Sequence, residues 1–273
     1  HKGGVNMADC FITRRGYVNS GGSSITTVTP EKLGYVSDAV LFFDGRYNSP
    51  SKHISNGSYW IDLVENILAQ RNNINSGTDL INNDYYIKQT GVASSFKIPN
   101  NFNFDTFTIE VFIEIISDGG TGENDIFDNY KSAGFGIYTE NNKLCASIHN
   151  NSNYSIIKTD YTLNTKYLIT ITYDGQVFSF YLNGILVNTA EVSNYKKTTK
   201  YPYLGSYDGN NCASGAYNYY RFGVYNRALT TAEITQNYNK DVYRYVDGNT
   251  DNINWGDIPW RRTKWNFLKK FIY

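Results

Sequence analysis

The chain has 273 residues, 25 Lys+Arg balanced by 25 Asp+Glu, with 41% hydrophobic and 18% charged residues. It is too apolar and aromatic for a disordered chain and lacks the basic excess of a dedicated nucleic-acid binder. No stretch approaches the roughly 18 to 20 apolar residues of a membrane span, while 25 Tyr, 34 Asn and 23 Gly lean toward strands and turns.

In chain order, His1–Asn6 precede Met7, the only methionine. Lys2-Gly3-Gly4 fits the translation of a ribosome-binding sequence, which would make Met7 the first residue; a cloning remnant or an internal fragment is the alternative reading of residues 1–6. No apolar region follows of the kind a secretory signal carries, so a protein found outside a cell would leave by another route, such as release inside a virus particle. Cys10, Cys145 and Cys212 are too few and too scattered for a disulfide framework or a zinc site, and read as reduced thiols. Residues 16–30, rich in Gly, Ser and Thr and ending in Pro30, read as a connector.

AVLFFDG, from Ala39, reads as a buried strand closed by a turn. YWIDLVENILA (59–69) is ambiguous: helical spacing of Trp60, Leu63, Val64, Ile67 and Leu68 competes with β-branched and aromatic content. FTIEVFIEII (107–116) alternates, with Ile109, Val111, Ile113 and Ile115 on one face and Thr108, Glu110, Phe112 and Glu114 on the other. SAGFGIYTENNKLCASIHNN holds two strands around Glu140-Asn141-Asn142. Three further strands, 167–173, 176–182 and 185–189, are joined by the hairpin dipeptides Asp174-Gly175 and Asn183-Gly184. YPYLGSYDG and YNYYRFGVYN read as two more. Thr230 and Glu233 form a capping box opening a short helix over EITQNYN. Many short antiparallel strands separated by turn signals mean an all-β sandwich or barrel. Three segments follow: 1–30 as N-terminal segment and linker, 31–240 as the folded domain, and 241–273 as an aromatic, basic tail. WRRTKWNFLKKFIY at its end has five basic residues and no acid.

Several motifs together resemble one family. YLITITYDGQVFSFYLNGILVNT resembles the paired hairpins of laminin-G-like, concanavalin A-like jelly rolls. YRFGVYNRALTTAEITQNY is similar to that family's closing signature, and FTIEVFIEI to its "F-T-I-S-x-W-V-K" strand, with Phe112 where Trp is usual. AVLFFDGRYNS with YWIDL resembles the opening of phage-encoded members, although VENILAQRNN replaces the usual Gly-Asn-rich stretch. MADCFITRRGY resembles the N-terminal segment of structural proteins of phages of gut bacteria. The resemblance covers about residues 36 to 240. It implies an antiparallel two-sheet jelly-roll sandwich with a short helix after the last strand and extensions at both ends. It does not imply one function.

Chemistry is sparse. Glu110 and Glu114 lie four residues apart on one strand, roughly 13 Å between Cα atoms, against the roughly 5 to 9.5 Å of glycosidase carboxylate pairs. The three-acid cluster of jelly-roll glucanases is missing, so both read as solvated glutamates and no catalytic residue is expected. His1, His53 and His149 are isolated and suggest no triad or transition-metal site. The Gly-rich loop 117–129 gathers Asp118, Asp125 and Asp128, with Glu123 and Asn124. Such hard oxygen ligands suit Ca²⁺, and the resemblance implies calcium at a jelly-roll rim, but the loop lacks the EF-hand spacing and an ordinary polar loop competes. For sugar binding, Tyr207, Asp208, Asn210, Asn211, Tyr217 and Tyr219 could form one rim, and HNNSNYS (149–155) is a second candidate. Against this, strand tyrosines usually pack on the sheet.

The expectation is a non-enzymatic phage virion surface protein, a decoration or fibre-like subunit, adhering to host or environmental glycans. The N-terminal segment or C-terminal tail would join it to other virion proteins or to copies of itself, with no nucleic-acid partner. The alternatives are a bacterial surface or secreted carbohydrate-binding module and a polysaccharide hydrolase.

Overall fold

A computed structural model describes residues 28–46, 59–65, 67–73, 80–82, 86–89, 94–120, 122–129, 133–209 and 215–249. MADCFITRRGY, the 241–273 tail beyond residue 249, Cys10 and Cys212 lie outside the described residues.

The strands in chain order are β1 (Leu41–Asp44), β2 (Tyr59–Ile61), β3 (Leu68–Asn73), β4 (Leu80–Asn82), β5 (Ile87–Gln89), β6 (Ser94–Lys97), β7 (Phe107–Ser117) and β8 (Asn124–Asp128). They continue with β9 (Phe135–Glu140), β10 (Lys143–His149), β11 (Tyr154–Thr159), β12 (Lys166–Tyr173), β13 (Val177–Leu182), β14 (Ile185–Glu191), β15 (Tyr203–Leu204) and β16 (Ala216–Tyr225). Helix α1 (Thr231–Asp241) runs into a π-helical turn, Val242–Val246. One sheet has the order β14-β13-β12-β7-β16-β5-β4, with β1 also on β16; the other has the order β11-β10-β9-β8-β15-β6-β3-β2. All pairs are antiparallel.

The alternation in β7 does what it predicts. Ile109, Val111, Ile113 and Ile115 enter the core between the sheets, where they join Ile137, Ala146, Ile169 and Phe222. The turn dipeptides also hold. Asn141 and Asn142 take φ 50° and 60°, and Asn183 and Gly184 take 54° and 78°, the left-handed geometry that tight hairpins need. The capping box is present, with Thr230 N donating to Glu233 Oε2 at 2.8 Å and Glu233 N donating to Thr230 Oγ1 at 3.3 Å.

Among the described residues of 59–69, Tyr59–Ile61 and the start of Leu68–Asn73 are strand and 63–65 are turn. The turn is held by Asp62, whose carboxylate accepts from Phe42 N and Glu65 N, both at 2.6 Å. Burial pushes this carboxyl up to about 6 despite those bonds. A hydrogen bond to a strand twenty residues upstream therefore overrides the helical spacing.

The outer face of the first sheet is closed. Residues 33–39 and α1 pack over Phe42, Tyr181 and Tyr225. Beneath them, Arg221 donates to Asp241 through Nε and Nη2 (2.8 and 2.6 Å) and to Glu110 through Nη1 (2.9 Å). Arg244 pairs with Asp44 and with the Tyr35 hydroxyl. All five charged side chains are fully buried. Glu110 is thus not the solvated glutamate expected from its alternation, because α1 covers its end of β7. Just past Lys240, Asp241, Arg244 and Tyr245 are buried against the sandwich.

Candidate functional site

The outer face of the second sheet gathers a group of nearly buried polar side chains, among them Asp125, Asp128 and Ser147. Register sets two cross-strand rows. Asp128, Gly136, Ser147 and Ile156 form one row across β8, β9, β10 and β11, and Asp125, Tyr138, Cys145 and Lys158 form the next. Asp125 and Asp128 are three residues apart and would face opposite sides of a regular strand. A bulge between Asp125 and Phe127 inserts an extra β8 residue and turns both carboxylates outward. Gly136 makes room beside them: a Cβ there would lie 2.6 Å from Asp128 Oδ2.

The β10–β11 turn supplies the aromatic wall. Asn150 Oδ1 accepts from Ser152 N and Asn153 N at 2.9 and 2.6 Å, which closes an Asx turn. Tyr154 follows, 45% exposed, with its ring in a T-shaped contact with His149 at 4.5 Å between centroids. The result is a pocket of about 70 Å³ lined by Glu123, Asp125, Asp128, Tyr138, Ser147 and Tyr154, with Phe135 and Ile156 completing its apolar wall. That is room for several water molecules, or for the hydroxyl-bearing edge of one sugar ring.

Three carboxylates and the Tyr138 phenol line the pocket. Burial, then Cys145 and the carboxylates of Glu123, Glu140 and Asp128, push the Tyr138 phenol upward. Burial pushes the Cys145 thiol up to about 11, partly offset by Lys158, so it is a poor nucleophile at neutral pH. Lys158 is engaged with Glu140 at 2.6 Å. Chemically the pocket offers carboxylate and hydroxyl acceptors beside a half-exposed ring.

Several expected sites are corrected. Tyr217 and Tyr219 are fully buried and cannot form a ligand rim. Their hydroxyls cross the core and donate to Asn124 O (3.2 Å) and Ile126 O (2.9 Å), tying β16 to β8. Tyr207 and Asp208 sit half-buried in the loop after β15, and Asn210 and Asn211 lie outside the described residues. The proposed calcium trio is not brought together: Asp118 accepts from the Tyr161 hydroxyl at 2.9 Å, whereas Asp125 and Asp128 face the pocket. Among the described residues no three His, Cys, Asp or Glu side chains are placed to hold a metal ion. Glu110 binds Arg221, and Glu114 accepts from Asn218 and Tyr220 at 2.9 and 3.0 Å, so neither faces a substrate cleft. Ser147, Tyr138 and Gly136 carried no sequence signal of a site, because their grouping depends on register.

The Laminin_G_3 family model, described as the concanavalin A-like lectin/glucanases superfamily, matches residues 89–235. Similar solved structures include the botulinum neurotoxin serotype D ligand binding domain in complex with N-acetylneuraminic acid, with TM-score 0.59 and 15% identity over 76% of this chain and 52% of that one. The binding domain of botulinum neurotoxin DC in complex with rat synaptotagmin II has TM-score 0.58 and 16% identity, covering 74% and 51%. The binding domain of Paraclostridial Mosquitocidal Protein 1 has TM-score 0.58 and 17% identity, covering 74% and 52%. The chain therefore spans about half the length of these domains, and the likeness is one of fold. A search among curated proteins finds no significant match.

Proposed function

Because the chain belongs to the concanavalin A-like lectin/glucanases superfamily through its Laminin_G_3 region, we propose that it is a non-enzymatic recognition module. Its pocket on β8–β11 binds glycans. One observation carries this reading: a pocket open on an outer sheet face combines Asp125, Asp128 and Ser147 with the half-exposed ring of Tyr154. Carboxylates accept hydrogen bonds from sugar hydroxyls, and the ring offers an apolar surface to a sugar face. The buried, ion-paired Glu110 speaks against hydrolysis. Similar folds described as binding domains, among them those in complex with N-acetylneuraminic acid and with synaptotagmin II, favour recognition over turnover.

A single pocket of this size binds weakly, so useful adhesion needs many copies acting together. A virion surface supplies such copies, which suits the phage-like MADCFITRRGY segment, with the N-terminal segment or basic tail as the anchor. A bacterial surface or secreted module would use the same pocket. No helix among the described residues is long and apolar enough to cross a membrane.

A glycan array with the full chain and a Tyr154→Ala variant tests the reading. Binding that falls about tenfold in the variant, roughly 1.4 kcal/mol, with an unchanged melting temperature, is the expected result. An absence of glycan binding, or identical binding by both proteins, overturns it.

A further inference from the structure

The charges sealed beneath α1 do not balance. Asp44, Glu110 and Asp241 set three carboxylates against the two guanidinium groups of Arg221 and Arg244, and all five side chains are fully buried. The carboxylates are not equally served. Both Asp44 oxygens accept from Arg244, and both Asp241 oxygens accept from Arg221, with the Tyr35 hydroxyl added at 2.8 Å. Glu110 accepts from Arg221 Nη1 and Asn237 Nδ2, both at 2.9 Å and both on Oε2. Its Oε1 is buried with no hydrogen-bond partner among the described residues. A second orphan lies across from it. Thr170 is directly opposite Glu110 in the β7–β12 register, and its buried Oγ1 also lacks a partner among the described residues. Cβ atoms of such pairs stand about 4.5–5.5 Å apart on one face, within reach of a direct bond after side-chain rotation or of one bridging water. A hydroxyl can accept as well as donate. A proton on Oε1 therefore serves both orphans and cancels the extra negative charge, which is costly to bury.

We propose that Glu110 carries this proton as a neutral carboxylic acid facing Thr170, and that the proton pins a latch: its loss as pH rises lets α1 and residues 33–39 lift from the first sheet while the sandwich stays folded. The groups facing Glu110 are Arg221 and Tyr225 from β16, Thr170 from β12, and Asn237 and Asp241 from α1. Tyr35 and Arg244 stand behind Asp241. Asn237 carries the coupling outward, because its Oδ1 accepts from Val36 N at 2.9 Å. Burial raises the Glu110 carboxyl above its ordinary 4.5 against the pull of Arg221. In the lifted state Glu110 meets water and returns to that ordinary value, so opening releases one proton. The opening constant then grows by up to tenfold per pH unit above 4.5 and levels off where Glu110 ionises in the closed state. Opening uncovers Phe42, Tyr181 and Tyr225. This device sits on the sheet opposite the pocket and stands apart from the glycan reading.

Hydrogen exchange of the full chain between about pH 5 and 9, corrected for the intrinsic rate at each pH, measures the opening. The α1 amides should be less protected than the β10 amides at every pH. Their protection should fall by up to tenfold per pH unit and then level off. Glu110→Gln keeps the shape and removes the titration, so its α1 protection should lose this slope. Infrared spectra report the proton itself: the parent protein should show a protonated-carboxyl band at about pH 6, above the ordinary carboxylate range, and Glu110→Gln should lack it. Thr170→Val leaves every charge in place but removes the hydroxyl facing Oε1, so the levelling should move to lower pH; this variant keeps the test informative if Glu110→Gln folds poorly. Exchange of α1 only together with β10 overturns the latch. A slope that persists in Glu110→Gln, a band shared by the parent and that variant, or a levelling point unmoved in Thr170→Val overturns the assignment of the proton to Glu110 and Thr170.

Discussion

Replacing Arg221 by Met removes a guanidinium but keeps most of the side-chain volume. Its three charge-assisted bonds reach Asp241 twice and Glu110 once, with every partner fully buried. The loss strands two carboxylates beneath α1. Glu110 keeps only the amide of Asn237 at 2.9 Å, and Asp241 keeps only the Tyr35 hydroxyl at 2.8 Å. Breaking a buried pair from one side costs about 3–5 kcal/mol, or roughly 6–20 °C in melting temperature for a domain of this size. The pH dependence gives a sharper test. Burial raises both the Glu110 and the Asp241 carboxyls above their ordinary values of 4.5 and 3.8, while Arg221 pulls them back down. The folded state therefore holds protons that the unfolded chain has released. That contribution to stability is full below the ordinary values and is lost as pH rises through the folded ones. Without Arg221 the folded values climb further, so the variant's deficit is large at pH 7 and shrinks toward pH 4. Urea unfolding of both proteins at several pH values measures it. A deficit under about 1 kcal/mol at pH 7, or one that grows as pH falls, refutes the reasoning. Adding Glu110→Gln to Arg221→Met should recover part of the loss, because it removes a stranded charge.

At Gly136 an Ala side chain would press on Asp128 Oδ2; overpacking of this kind costs about 1–3 kcal/mol, and the displaced carboxylate should weaken glycan binding several-fold by calorimetry. Thr230→Ala removes the N-cap of α1 and should lower stability by about 1 kcal/mol, read from denaturant midpoints. Arg227, with the Thr230 cap bonds, holds Glu233 at about 2, below its ordinary 4.5. Its contribution is present above 4.5 and is lost as pH falls toward 2, so Glu233→Gln should flatten the acid limb of the stability profile in that window. An acid limb identical to that of the parent protein would refute this role for Glu233.

Local signals carried the strands and turns that depend on neighbours in sequence. The β7 alternation, the Asn-Gly hairpin and the Thr230–Glu233 box are all present as read. Elements that depend on distant partners were not readable. The strand pair at 59–73 rests on Asp62 bonding to Phe42, and the short strands β4 and β5 show no alternation long enough to see. The site followed the same division. Asp125 and Asp128 drew attention as acids in a loop and Tyr154 as an aromatic among amides, but a β8 bulge and the β10–β11 Asx turn bring them together. Tyr217 and Tyr219 share composition with a sugar rim yet point inward, because they fall on the core-facing positions of β16 while Asn218 and Tyr220 take the other face.

The two outer faces explain why only one is left for a ligand. Outward positions of β7 and of β8–β10 both carry polar residues: Thr108, Glu110 and Glu114 beside Phe112 on one sheet, Asp125, Ser147 and Asp128 on the other. What differs is the covering. On the first sheet, residues 33–39 and α1 are locked down by the Arg221 and Arg244 pairs, which turns outward acids into buried ones. On the second sheet the Asp128–Gly136–Ser147 row opens into the pocket. The lock thus fixes which of the two faces stays open without touching the pocket. The two functions should separate: at temperatures where Arg221→Met is still folded it should bind glycan as the parent protein does, while Tyr154→Ala should lose binding and keep its stability. Coupled losses in both variants would mean that the faces are not independent.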